Sequence, residues 1–141
     1  MELIGDGSLA ELVAERKETG QPRFTDNEVS RLIKAILSAL AYMHAKDTMH
    51  RDLKPCNILL ADRNDLSSVK IIDFGLSEKY VLQDDCSSEK GTLFYMAPEV
   101  VSNGKITKSV DMWAVGIIVF QLLSGGEHPY NVVSSESKAK F

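Results

Sequence analysis

Three short constellations concentrate reactive side chains along one stretch of the chain. His50-Arg51-Asp52 is followed by Lys54 and Asn57, then by Asp73-Phe74-Gly75, and then by Gly91-Thr92 with Tyr95 and Ala97-Pro98-Glu99. Asp52, Asn57 and Asp73 offer hard oxygen donors of the kind a divalent cation such as Mg²⁺ selects. A carboxylate can also accept a proton from a reacting group, and Lys54 brings a compact positive charge. Asp and Asn are common as turn residues and caps, so any one tripeptide is weak on its own. The three together, in this order, argue for a shared chemical task.

Such residues need elements that hold them. Thr25-Asp26-Asn27-Glu28 is a capping box, and Val29, Leu32, Ile33, Ile36, Leu37 and Leu40 follow at helical spacing, which predicts a long amphipathic helix ending near Ala45. Ser8 to Lys17 predicts a shorter helix, broken by Thr19-Gly20-Gln21-Pro22. Asn57 to Leu60 and Val69 to Ile72 are short apolar runs joined by the polar Ala61 to Ser68, the pattern of a hairpin with both runs facing the core. Gly75 to Gly91 is polar with weak periodicity and reads as a loop. From about Lys108 to Ser124 the chain is apolar nearly all round, predicting a helix inside the domain, with Trp113 in the core and Gly125-Gly126 as the stop. The tail from Val132 to Phe141 reads as frayed.

Composition bounds the alternatives. The chain has 141 residues, 44% hydrophobic and 26% charged, with a net charge of −4, which is the profile of one globular domain. No basic run suits nucleic acid. The most apolar window, Met112 to Leu123, is too short for a membrane span. Cys56 and Cys86 suggest neither a disulfide framework nor a zinc site, which favours a reducing, intracellular and most simply cytoplasmic setting.

Taken together, the motifs resemble the protein kinase superfamily over nearly the whole chain. The resemblance implies the large, C-terminal lobe of the protein-kinase-like α+β fold, mainly α with short β-hairpins. Residues 1–131 would form this partial kinase domain and 132–141 the frayed tail. It implies ATP and Mg²⁺ as cofactors, protein substrates bearing Ser or Thr, no nucleic-acid partner and no membrane span. Asp52 would accept the substrate hydroxyl proton, and Lys54 would place its charge near the γ-phosphate. Asp73 would bridge Mg²⁺ to the phosphates, and Asn57 would take a second Mg²⁺. Met1, Glu2 and Ile4 would lie at the adenine hinge, with Leu59 beneath the ring. Lys54 and Gly91-Thr92 favour Ser/Thr over Tyr specificity, and Thr92 would bond near Asp52 and Lys54. Arg51 would dock a phosphorylated loop residue added by an upstream kinase, Ser88 first and Ser87 second. His50 would pack on Phe74, and Asp111 would hold the amides near His50 and Arg51.

The pattern also has gaps. The glycine-rich loop, strand lysine and helix glutamate of the family's small lobe are not found, so that lobe is expected to be absent. The late arginine that normally pairs with Glu99 is missing too, and the apolar helix around Trp113 is expected to expose surface. Two functional classes follow: a Ser/Thr kinase present as a fragment, or a catalytically inactive, truncated kinase-like module that binds or regulates. Leu122-Leu123-Ser124-Gly125 with His128-Pro129-Tyr130, and Ala97-Pro98-Glu99-Val100-Val101, resemble the calcium/calmodulin-dependent and calcium-dependent kinases.

Overall fold

The computed structural model describes residues 5–73 and 93–130. The hinge expectations at Met1, Glu2 and Ile4 lie outside those residues. So do Phe74, Gly75, Cys86, Ser87, Ser88, Gly91, Thr92 and the tail from 132.

The predicted capping box at Thr25 forms, and a second one, not foreseen, forms at Ser8. Ser8 caps α1, Leu9–Glu18, its hydroxyl accepting from the Glu11 amide while Glu11 accepts from the Ser8 amide. Thr25 caps α2, Asp26–Ala45, in the same way through Glu28. The buried stripe of α2, Val29, Leu32, Ile36, Leu40 and Met43, keeps the three-and-four spacing of one helical face. That stripe is the spine of the core. Leu9 from α1, Leu53, Ile58, Leu60 and Ile71 pack into the same cluster.

The hairpin is β2, Ile58–Leu60, and β3, Val69–Ile71, antiparallel with Leu59 opposite Lys70. A third strand was not foreseen. Gly7–Ser8 forms β1 and pairs antiparallel with β2, Gly7 opposite Leu60, giving the order β1-β2-β3. The chain comes close enough there that a Cβ on Gly5 would stand 2.4 Å from the Leu60 carbonyl oxygen. Glycine at φ +89 is the residue that fits.

A one-turn helix α3, Pro98–Val101, starts on proline, and α4, Ser109–Ser124, ends on Gly125 in the left-handed region at φ 80. Two expectations for α4 need correction. Val110, Asp111, Ala114, Val115, Ile117, Ile118 and Leu122 are buried, but Met112 is 47% exposed and Trp113 36% exposed, so Trp113 is no core residue. A helix apolar all round is buried only where neighbours cover every side. Among the described residues, α2 packs against one side. The exposed apolar surface expected around Trp113 is present.

A second correction concerns Cys56. It is disulfide-bonded rather than a free thiol, and the sequence's only other cysteine, Cys86, lies outside the described residues. Among the described residues no helix is long and apolar enough to cross a membrane.

Arg16 ties α1 to α2. Its guanidinium sits 3.9 Å from the Phe24 ring centroid and donates to Glu28 at 2.7 and 3.4 Å. The Arg16 hydrogen bond, followed by that from the Thr25 amide, holds the Glu28 carboxyl down to about 2, well below its usual 4.5. A depressed carboxyl contributes stability that is complete above its unfolded value and is lost as pH falls through the folded one. The stability gap between the wild type and Glu28→Gln should therefore be widest above pH 4.5 and close progressively towards pH 2. Urea midpoints across that range check it; a gap that does not change with pH refutes it.

Candidate functional site

The loop that follows α2 carries most of the reactive residues, and its shape follows from a few bonds. Arg51 takes a left-handed backbone at φ 68, unusual for a residue with a Cβ. Its strain is held in place by a carboxylate. Asp111 on α4 has no exposed side-chain surface; its Oδ2 accepts from the His50 amide at 2.9 Å and its Oδ1 from the Arg51 amide at 2.8 Å. His44, from the last turn of α2, brings Nε2 to within 2.7 Å of the same Oδ2. Asp111 thus does what the sequence pattern predicted. His44 was not predicted.

The His50 ring is buried and bonded at both nitrogens. Its Nδ1 accepts from the Asp52 amide at 3.3 Å, so Nε2 carries the proton and donates to the Ile72 carbonyl at 2.8 Å. This pins the loop to the end of β3. The expected contact with Phe74 lies outside the described residues.

Asp52, Lys54 and Asn57 converge. Lys54 Nζ is 3.2 Å from Asp52 Oδ2, both side chains being almost nine-tenths buried. Asn57 Nδ2 donates to the Asp52 carbonyl at 2.8 Å and lies 3.4 Å from Asp52 Oδ2. With Nδ2 engaged, the amide oxygen of Asn57 is the atom left for a ligand. Pro55 opens the 3-10 turn Pro55–Asn57 that fixes this spacing.

Asp73 follows β3, exposed and left-handed at φ 61. The Ile72 amide donates to the Asn57 carbonyl at 2.9 Å, so the hairpin brings Asn57 and the residue before Asp73 into contact, as its strand pairing predicts. Leu59 lies between the buried Ile58 and Leu60 and is less buried than either, as strand alternation towards the other sheet face requires. Arg51 is exposed. Glu99, expected to lack its partner, is half-buried and takes a long 3.4 Å hydrogen bond from Ser109. Ser87, Ser88 and Thr92 lie outside the described residues.

The segment before α3 closes the other side. Tyr95, Met96 and Ala97 face Arg51, Asp52 and Leu53 across a cavity of about 10 Å³, room for a single water. The Tyr95 hydroxyl donates to Gln121 of α4 at 2.7 Å.

The sequence profile of the protein kinase domain matches residues 1–140. The chain belongs to the protein kinase family. This kinase sequence is 39% identical over 123 residues to calcium-dependent protein kinase 5 of Plasmodium berghei, covering 84% of this chain and 22% of that protein. It is 38% identical over 125 residues to the probable serine/threonine-protein kinase pXi of Dictyostelium discoideum, covering 89% of this chain and 17% of that protein. The crystal structure of Rad53 1-466 in complex with AMP-PNP superposes with a TM-score of 0.70 at 35% identity, covering 92% of this kinase chain and 30% of that one. The chain therefore spans about a fifth of the curated relatives just named. The mainly helical fold with a small three-stranded sheet corresponds to part of the kinase fold, as expected for its large lobe.

Loss of the Asp111 carboxylate should loosen this kinase loop. Asp111→Asn leaves one oxygen for three donors and turns an N–H towards another N–H, so stability should fall by about 1–3 kcal/mol. The amides of His50 and Arg51 should exchange faster than in the wild type, by hydrogen–deuterium exchange. Unchanged protection of both amides would contradict this account of the loop.

Proposed function

We propose that this chain is the substrate-facing part of a Ser/Thr protein kinase, one that moves the γ-phosphoryl group of ATP to a Ser or Thr hydroxyl of a protein. The observation that carries the proposal is the convergence of Lys54 Nζ and Asn57 Nδ2 on Asp52, whose loop is braced by Asp111. Asp52 accepts the proton of the substrate hydroxyl while that oxygen attacks the γ-phosphorus and the bond to the β-phosphate oxygen breaks, releasing ADP. Lys54 lies where its charge offsets the negative charge on the transferred oxygens.

Two groups with hard oxygens are available for Mg²⁺, the amide oxygen of Asn57 and the carboxylate of Asp73. That set suits an ion which keeps several waters and takes its other ligands from phosphates. Among the described residues no cluster of three or more His, Cys, Asp or Glu forms a cage of its own. Bound there, Mg²⁺ would neutralise charge on the phosphates. Leu59, on the less buried face of β2, suits an apolar ledge for adenine.

Arg51 extends exposed from a backbone fixed by Asp111, a rigid base for binding a phosphoryl group bidentately. Ser88 remains the first candidate for that modification by an upstream kinase and Ser87 the second, with Thr92 linking the segment to the site. An intracellular, cytoplasmic setting now rests on the need for ATP alone, because the bonded Cys56 removes the cysteine argument.

The test is transfer of labelled phosphate from Mg-ATP to a Ser-containing peptide by the 141-residue chain. Incorporation is expected, with a loss of roughly 10²–10⁴-fold in Asp52→Asn and no incorporation when Mg²⁺ is chelated. A wild-type rate in Asp52→Asn would sink the assignment of Asp52. No incorporation by the wild type would favour an inactive kinase-like binding module.

A further inference from the structure

The wall that faces Asp52, Tyr95 to Ala97, has no regular secondary structure of its own to stiffen it. Two anchors hold the segment from behind. One is the Tyr95–Gln121 hydrogen bond. The other is an aromatic stack on His128, whose ring lies 4.9 Å from Phe94, 5.6 Å from Tyr95 in an edge-on arrangement, and 5.3 Å from Tyr130.

His128 is an unexpected choice for this place. It is only 6% exposed, and its Nδ1 accepts from the Tyr130 amide at 3.3 Å. The proton is therefore on Nε2, which is buried and makes no full hydrogen bond, the Phe94 backbone being the polar group near the ring. A phenylalanine would stack as well and leave no such group behind. What a histidine adds is the capacity to take a second proton.

We propose that His128 is a positioning residue: its neutral ring holds Phe94 and Tyr95, and with them the wall opposite Asp52, in the shape that receives the acceptor segment of the protein substrate. Protonation would occur at Nδ1, the atom that now accepts from Tyr130. It would break that bond and place an ion where burial disfavours one, so the wall would loosen. The inference rests on the kinase reading for its link to substrate, but not for the geometry.

The surroundings suit a ring that stays neutral near pH 7. Burial lowers the pKa of His128 below its ordinary 6.5, and the Phe94 backbone opposes this only in part. Facing it, Tyr95 has a phenol pushed up by burial, and Tyr130 is the other titratable ring. Glu127, its neighbour in sequence, is engaged with Lys17 at 3.0 Å. Gln121 and Ser124 of α4 do not titrate.

Two measurements on the full chain decide the matter. The chain has three histidines, so the His128 ring can be followed by NMR, with His128→Phe and His128→Gln as non-titrating variants. The His128 midpoint should fall below 6.5, and the Phe94 and Tyr95 resonances should move with that same midpoint in the wild type and in neither variant. Second, KM for a Ser peptide free of groups titrating between pH 5 and 7 should rise several-fold as pH falls through that midpoint, with kcat following the same course as in His128→Phe. In His128→Phe the rise in KM should be absent. Rings that ignore the His128 midpoint, or a KM profile shared by wild type and His128→Phe, would overturn the proposal. If the wild type transfers no phosphate, the kinase reading fails and the ring titration alone decides whether His128 governs the segment.

Discussion

A carboxylate buried without exposed surface is tolerable only where donors surround it, and the donors around Asp111 are the backbone of the reactive loop. Two successive amides and the His44 ring meet its two oxygens. The first half of the loop is thereby fixed to α4, and the His50 ring fixes it to β3 through Ile72. Asp52 follows both attachments directly, its amide bonded to the anchored His50 ring. Its orientation is a property of two helices and a strand rather than of the loop's own sequence. This explains how Arg51 keeps a left-handed backbone without glycine: two amide bonds to a buried charge outweigh a local strain of the order of 1–3 kcal/mol.

Much of this was legible beforehand, for identifiable reasons. Thr25 with Glu28 announced α2, because a capping box is a local bond whose partners lie three residues apart. The hairpin could be read because Ile58 to Leu60 and Val69 to Ile71 are apolar runs around a polar turn. Asp111 stood out as a charge in an apolar helix. β1 could not be read. Two residues carry no periodicity, and Gly7–Ser8 is a strand only because Leu59 and Leu60 run beside it.

The remaining surprises are contacts distant in sequence. His44 gave a faint signal as a polar ring at the end of a buried stripe. Gln121 gave none and His128 stood out only as part of a family motif, because their partners Tyr95 and Phe94 come from a separate segment. Trp113 misled for the opposite reason. Hydrophobicity states what a side chain would favour, whereas burial depends on which neighbours are present, and α4 has them on one side only.

That one-sided helix gives the molecule a built-in optical reporter. Trp113 is the only tryptophan in the sequence, and it lies in the apolar stripe of Met112, Phe120 and Leu123 rather than in the core beneath. Its emission colour depends on local water, so it reports the wetting of that stripe. Any surface that covers α4 would shift the fluorescence to the blue, and unfolding would shift it to the red.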